Sequence, residues 1–316
     1  MSPTALPYVL LTGLLFGSSL IVSRYAVGQM APTTFVWLRL ALSTAAFAAI
    51  YAASAARRLS TARASRRALP RGRALWRDGV MLGLFSTAVP MVGTISSLRY
   101  LSAGLSALLL TISPAVVVLL AHFLLPDERL TPRKAAGIGL ALAGAALLVA
   151  RGESGLPGVT GSPIGYALAI GAILIDSLMI IYTRRHCADH DTFDLSAART
   201  LVAVLAVAPL SLLFVGFDLS AVTRAGAAGL LYSAAASTFG GLILFLWVNQ
   251  RFGATTASLS SYVLPVVAAV GGVLLLGERI SPVMVAGTAL IVGGIVVLNR
   301  PEAAAESQES PWSVGQ

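Results

Sequence analysis

Arg99-Tyr-Leu-Ser-Ala-Gly opens a stretch that closes on Glu128-Arg129-Leu130-Thr131-Pro132, and Arg251-Phe-Gly-Ala-Thr-Thr opens another that closes on Glu278-Arg279-Ile280-Ser281-Pro282. Between opening and close, each stretch carries an apolar run broken by a proline, Pro114 in the first and Pro265 in the second. After the close, each continues into a Gly/Ala-rich apolar run, to Val149 and to Leu298. The two Glu-Arg-x-Ser/Thr-Pro signatures lie 150 residues apart, and the spacing of the other features drifts by only one or two residues. The chain is therefore an internal duplication, and that sets the fold class before any single element is assigned.

Composition says where such a chain lives. Of 316 residues, 57% are hydrophobic and 11% charged, with a mean hydropathy of +0.84. Soluble domains carry about 25% charged residues, so this deficit marks an integral membrane protein. A spanning helix needs ~20 mostly apolar residues to cross ~30 Å of hydrocarbon, and the apolar runs here are of that length with short polar breaks. They do not alternate as the strands of a membrane barrel do. A single cysteine, Cys187, excludes a disulfide framework.

Taken in order, the runs predict ten transmembrane helices: Leu6–Val27, Thr33–Ala56, Val80–Leu98, Ser102–Leu125, Pro132–Ala150, Pro163–Thr183, Ser196–Val215, Gly226–Trp247, Ala254–Leu276 and Pro282–Leu298. The first has no basic segment ahead of it and reads as a retained span. Residues 151–162 are a Gly/Ser/Pro-rich linker, and 300–316 are a polar, acidic tail expected to be disordered. Arg24 and Arg39 match Arg184 and Arg199 at an offset of 160. Five helices per repeat is an odd number, which places the two copies in opposite orientations. The expected class is an all-α integral membrane protein built as two inverted five-helix repeats, 8–150 and 163–299.

The charges agree with inversion. Arg133-Lys134 follow the first signature, whereas Val283-Met284 follow the second. With the N-terminus in the cytoplasm, cytoplasmic segments hold 15 basic residues and external segments four. That bias puts both termini inside a bacterial inner membrane. Eight arginines fall between Arg57 and Arg77. They read as a topology determinant or as a patch for anionic membrane lipid, not as a nucleic-acid surface. On this topology Cys187 faces the cytoplasm and should react with an impermeant thiol reagent only after lysis.

Two tandem five-helix units, each closing on apolar–Pro–apolar–Glu-Arg-x-Ser/Thr-Pro–Gly/Ala-rich helix, resemble the EamA-type transporters of the drug/metabolite transporter superfamily. The resemblance covers about residues 8–150 and 163–299. Pro126-Asp127-Glu128 departs from it, since glycine before the glutamate is more usual. It implies a ten-helix inner-membrane carrier of small metabolites. It also implies a central cavity between helices 1–4 and 6–9, with helices 5 and 10 as supports.

Several residues are candidates for function. Asp176 lies mid-span, where a lipid-facing carboxylate costs at least ~2.5–3.5 kcal/mol, so it should face a cavity or a partner such as Arg199 or Ser177. It is the candidate for proton coupling. Arg39 and Arg199 either snorkel to the headgroups or face the cavity, where a guanidinium suits a carboxylate or phosphate. Arg24 and Arg184, at span ends, read as snorkelling. Trp37, Tyr182, Trp247 and Tyr262 are interfacial belt residues or substrate-stacking candidates. Thr131 and Ser281 are placed to cap the helices that Pro132 and Pro282 begin, which makes Glu128, Arg129, Glu278 and Arg279 a structural motif. Pro90, Pro114 and Pro265 should kink their helices. Gly137, Ala141 and Ala145, four residues apart, allow close helix contact within the chain or in a homodimer. His122 reads as a helix-packing residue.

No metal site, cofactor or catalytic constellation is expected. The expected function is therefore a secondary transporter of a small metabolite, an amino acid or similar amphipathic solute, acting as a monomer or homodimer. It would be an exporter, with proton coupling through Asp176. The alternative is a non-transporting membrane protein, a lipid-handling enzyme or assembly partner. That reading needs polar catalytic residues clustered at one membrane face, and the sequence offers none.

Overall fold

A computed structural model describes residues 4–60, 72–124, 130–187, 189–252 and 260–299. Glu128, Arg129, most of the arginine-rich segment and the tail from residue 300 lie outside the described residues. All regular structure among the described residues is helical. We number the helices α1 (Leu6–Ala26), α2 (Pro32–Ser60), α3 (Arg73–Ser97), α4 (Ala103–Leu124), α5 (Pro132–Ala150), α6 (Pro163–His186), α7 (Thr192–Val215), α8 (residues 224–252), α9 (Ser260–Leu276) and α10 (Pro282–Asn299). Eight of them, α1 to α8, are long and apolar enough to cross a membrane, and α9 and α10 are shorter apolar helices.

Helix starts are written in the local sequence. Ser102, Thr131, Thr223 and Ser281 each accept a hydrogen bond from a backbone N–H three residues on, and Asp191 accepts from Phe193 and Asp194. These side chains satisfy N–H groups that the first turn leaves without partners. Proline stands at the first position of α5, α6 and α10, where a missing N–H does no harm.

The helices depart from the expected ones in three ways. First, α3 begins at Arg73 rather than Val80, so Arg77 and Asp78 are helical. Second, α4 breaks into Ala103–Leu110 and Ser113–Leu124 around Thr111 and Ile112, because Pro114 has no N–H to continue the ladder. Third, among the described residues three wide-turned π-helical segments interrupt the bundle: Gly83–Ala88, Leu210–Val215 and Ser233–Gly241. Pro90 cannot donate to the Ser86 carbonyl and Pro209 adjoins the second segment, which accounts for two of them. The first and third begin at Gly83 and Ser233, the same 150-residue offset that separates the Glu-Arg signatures. Pro265, by contrast, sits inside a continuous α9.

Packing interleaves the two halves of the chain. α1 packs on α9, α2 on α7 and α8, α3 on α6 and α7, α4 on α6 and α9, and α5 on α10. A Cβ at Gly17 would stand 2.7 Å from the Leu264 carbonyl oxygen of α9. α5 and α10 approach almost backbone to backbone. A Cβ at Gly137 would meet the Gly294 oxygen at 2.7 Å, and one at Gly144 the Gly287 oxygen at 2.8 Å. The small-residue stripe of α5 is thus consumed inside the chain, as close-packed helices in lipid require. Its buried Ala141, Ala145 and Leu148 join Met284, Ile291 and Ile295 in one core, while a second core draws on α1, α2, α3, α4, α7, α8 and α9.

Candidate functional site

Where the second core stops, the middle of the bundle opens into a cavity of about 420 Å³. Its walls come from α1 (Phe16, Ser19, Leu20), α2 (Arg39), α3 (Ser86, Thr87, Pro90, Met91, Thr94, Ile95), α4 (Leu110, Ser113), α6 (Ala172, Ile173, Asp176), α7 (Arg199, Thr200), α8 (Ser237, Thr238) and α9 (Leu264). Neither α5 nor α10 contributes. The volume falls within the few hundred cubic ångströms usual for a small-molecule site.

Arg39, Asp176 and Arg199 all line this one cavity. Asp176 Oδ1 accepts a 2.9 Å hydrogen bond from the Ser86 hydroxyl and lies within electrostatic reach of Arg199. The expected partner Ser177 turns instead to Ser113 at 3.4 Å. Arg39 is only 7% exposed and donates through Nε to Thr238 at 2.6 Å and through Nη1 to Ser23 at 3.4 Å. The headgroup reading of the two arginines is therefore corrected: α2 and α7 pack against each other and against α3 and α8, and that packing turns both side chains inward. Arg24 also does not reach freely outward. Its Nε is buried without a partner among the described residues, within electrostatic reach of Glu278.

The aromatic candidates are not at this cavity. Trp37 meets Phe217 edge-on at 5.7 Å. Trp247, 41% exposed, forms an edge contact with Tyr8 at 4.8 Å and another with Phe252, consistent with an interfacial belt. Tyr262 lines a separate apolar groove of about 550 Å³ with Pro265 and Met284. Tyr182 donates a 2.8 Å hydrogen bond to Asp78. Trp37, Trp247 and Tyr182 are each held by a partner away from the cavity, which helical position alone could not reveal. Of the three predicted kink prolines, Pro90 alone lines the cavity.

Two features escaped the sequence reading. One is the pair of Ser-Thr dipeptides, Ser86-Thr87 and Ser237-Thr238, which the two offset-related π-helical segments deliver to the cavity. Their recurrence in both halves was the available signal, and such segments often mark functional positions. The other is Asp78, fully buried, which accepts from Arg77 Nε at 2.9 Å, Tyr182 Oη at 2.8 Å and His190 Nε2 at 2.9 Å. It ties α3 to the end of α6 and the loop beyond. Cys187 packs beside this cluster at 7% exposure, and burial, then Asp78, pushes its thiol pKa up. Burial predicts that the thiol reacts slowly after lysis until the chain unfolds. His122 Nδ1 accepts from the Leu130 N–H at 3.2 Å, a bond across the end of α4.

Glu278 closes one end of the bundle. It is 6% exposed and accepts from the Ala103 N–H at 2.7 Å and the Gly104 N–H at 3.3 Å, at the start of α4. Its neighbour Arg279 donates its backbone N–H to the Gly155 oxygen.

Comparison with known proteins places this architecture. The model of the EamA-like transporter family matches residues 3–150 and again 163–300. The chain belongs to that family. It is 32% identical over 239 residues to an uncharacterized protein of Pseudomonas aeruginosa, covering 74% of this chain and 76% of that one. An uncharacterized transporter of Archaeoglobus fulgidus is 22% identical over 296 residues, covering 92% and 96% of the two chains. A probable terminal-alkyne amino-acid exporter of Streptantibioticus cattleyicolor is 26% identical over 202 residues, or 64% and 65%. A crystal structure with 24% identity covers 92% of this chain and 95% of its own at a TM-score of 0.61, a likeness of fold. This EamA-like protein is a multi-pass membrane protein of a transporter family, not of an enzyme family.

Proposed function

We propose that this EamA-like protein is a secondary transporter that carries a small amphipathic metabolite, an amino acid or a similar solute, by alternating access. The observation that carries the reading is the cavity. It draws walls from α1–α4 of the first half and α6–α9 of the second, and it brings Arg39, Asp176 and Arg199 together. An inverted-repeat carrier binds its substrate at such a place, and rocking of the halves exposes it to either side.

On this reading the ten helices span as two inverted repeats, 8–150 and 163–299, joined by residues 151–162. The basic bias sets both termini, including the tail 300–316, in the cytoplasm of a bacterial inner membrane. The α5–α10 pair then braces the bundle outside the transport path, and the unit works as a monomer or homodimer. Outward transport is favoured by the likeness to the probable amino-acid exporter of Streptantibioticus cattleyicolor. Apolar Phe16, Leu20, Ile95 and Leu264 in the walls suit an amphipathic solute better than a highly charged one.

Asp176 is the proton-coupling residue. One of its oxygens holds Ser86, and the other is left for a proton. Asp176→Asn should abolish pH-driven transport in proteoliposomes while sparing exchange. Proton-driven activity equal to that of the unmodified chain removes Asp176 from the mechanism.

A further inference from the structure

Charges in the cavity do not balance. Two arginines face one carboxylate, and that carboxylate already accepts from Ser86. Arg39 directs Nε and Nη1 to two neutral hydroxyls, Thr238 and Ser23. Arg199 makes no hydrogen bond to any described residue, and its Nε is buried without a partner. The hydroxyls of Thr87 and Ser237, which line the same cavity from α3 and α8, are likewise buried without partners among the described residues. A guanidinium removed from water is costly unless an anion or several acceptors compensate it. Asp176, within electrostatic reach of Arg199, offsets one of the two positive charges and leaves one over.

We propose that the solute supplies the missing charge as a carboxylate bound by Arg199, with Thr87 and Ser237 as neutral donors beside it. The proposal rests on the carrier reading above. Arg39 is then a positioning residue, tying α2 to α1 and α8. So Arg39 and Arg199, matched at an offset of 160 in sequence, divide the work. A guanidinium holds a carboxylate through two parallel N–H bonds, and a single negative charge matches the single excess positive one. A phosphate monoester carries about −1.5 to −2 and would overcompensate. Phe16, Leu20, Ile95 and Leu264 make much of the remaining wall apolar, so the rest of the solute is an apolar body.

Thermal unfolding of the purified full-length chain in mild detergent tests this with three ligands of one shape: leucine, its deaminated acid 4-methylpentanoate, and its decarboxylated amine 3-methylbutylamine. A ligand that binds the folded state raises its melting temperature. Leucine and the acid should stabilise, and the amine should not. R199Q should weaken the acid by about ten- to a hundredfold, the worth of a charge-assisted bond. T87A and S237A keep both guanidinium groups and should weaken it by less. They decide the question if R199Q fails to fold. Stabilisation by the amine equal to that by the acid, by none of the three, or undiminished in these variants overturns the proposal. Binding of the acid without any flux in liposomes sinks the carrier reading alone.

Discussion

Glu278→Ala should destabilise the fold by about 2–5 kcal/mol, because the carboxylate is the partner of two buried backbone donors. Glu278 is 6% exposed and accepts from Ala103 at 2.7 Å and Gly104 at 3.3 Å. Each stranded N–H costs about 1–3 kcal/mol, and Ser102 continues to hold Leu105, so the loss is confined to those two groups. Glu278→Gln keeps one oxygen for Ala103 and should cost about 1–2 kcal/mol. The two variants also differ from the native chain in pH response. Burial raises the Glu278 carboxyl above its ordinary 4.5, against the opposing pull of the Ala103 and Gly104 N–H groups and of Arg24. A carboxyl raised in the folded state keeps its proton after the unfolded chain has lost it. The native state then binds more protons, and stability falls as pH climbs from the unfolded pKa to the folded one. Neither variant can show that slope. Equilibrium unfolding in mixed micelles, followed by near-ultraviolet circular dichroism at pH 4 to 8, measures both quantities. A Glu278→Ala variant within about 0.5 kcal/mol of the native chain, the range of an ordinary surface change, refutes the reasoning. A pH slope that persists in Glu278→Gln refutes its second half.

Other substitutions probe other parts of the account. Asp78→Ala takes the shared acceptor from Tyr182 and His190 and should cost about 1–3 kcal/mol, read as a fall in melting temperature. Gly144→Leu forces side-chain atoms against the Gly287 carbonyl and should separate α5 from α10, seen as a loss of the folded peak on size-exclusion chromatography. Cys187 should resist maleimide in lysed as well as intact cells and react once the chain is denatured, since burial withholds the thiolate.

How far the sequence could be read follows from what each feature depends on. The family, the membrane class and the starts of most helices rest on local pattern: apolar run length, a capping Ser or Thr, and Pro at the next position. Asp176 was recognisable alone, because a carboxylate at mid-span has few places to go. Direction around the helix axis is a different matter. Arg39 and Arg199 lie near span ends, where snorkelling and inward facing are equally open until α2 and α7 are seen packed together. The same limit applies to Tyr182, whose hydroxyl is claimed by Asp78 from 104 residues away. Asp78 itself was hidden by the arginine run, which reads as loop up to Arg77. The Ser-Thr pairs were visible, but α-helical periodicity assigns them no common face. A wider π-helical turn gives them one.

The central claim is that the charged cavity is the binding site of a carrier. Counterflow by the pure protein in liposomes, with a pooled panel of labelled amino acids on both sides, tests it most directly because exchange needs no driving force. The account predicts saturable exchange of at least one member, lost in Arg199→Gln and kept in Asp176→Asn. Folded protein that exchanges none of the panel, or exchange that Arg199→Gln leaves intact, contradicts it.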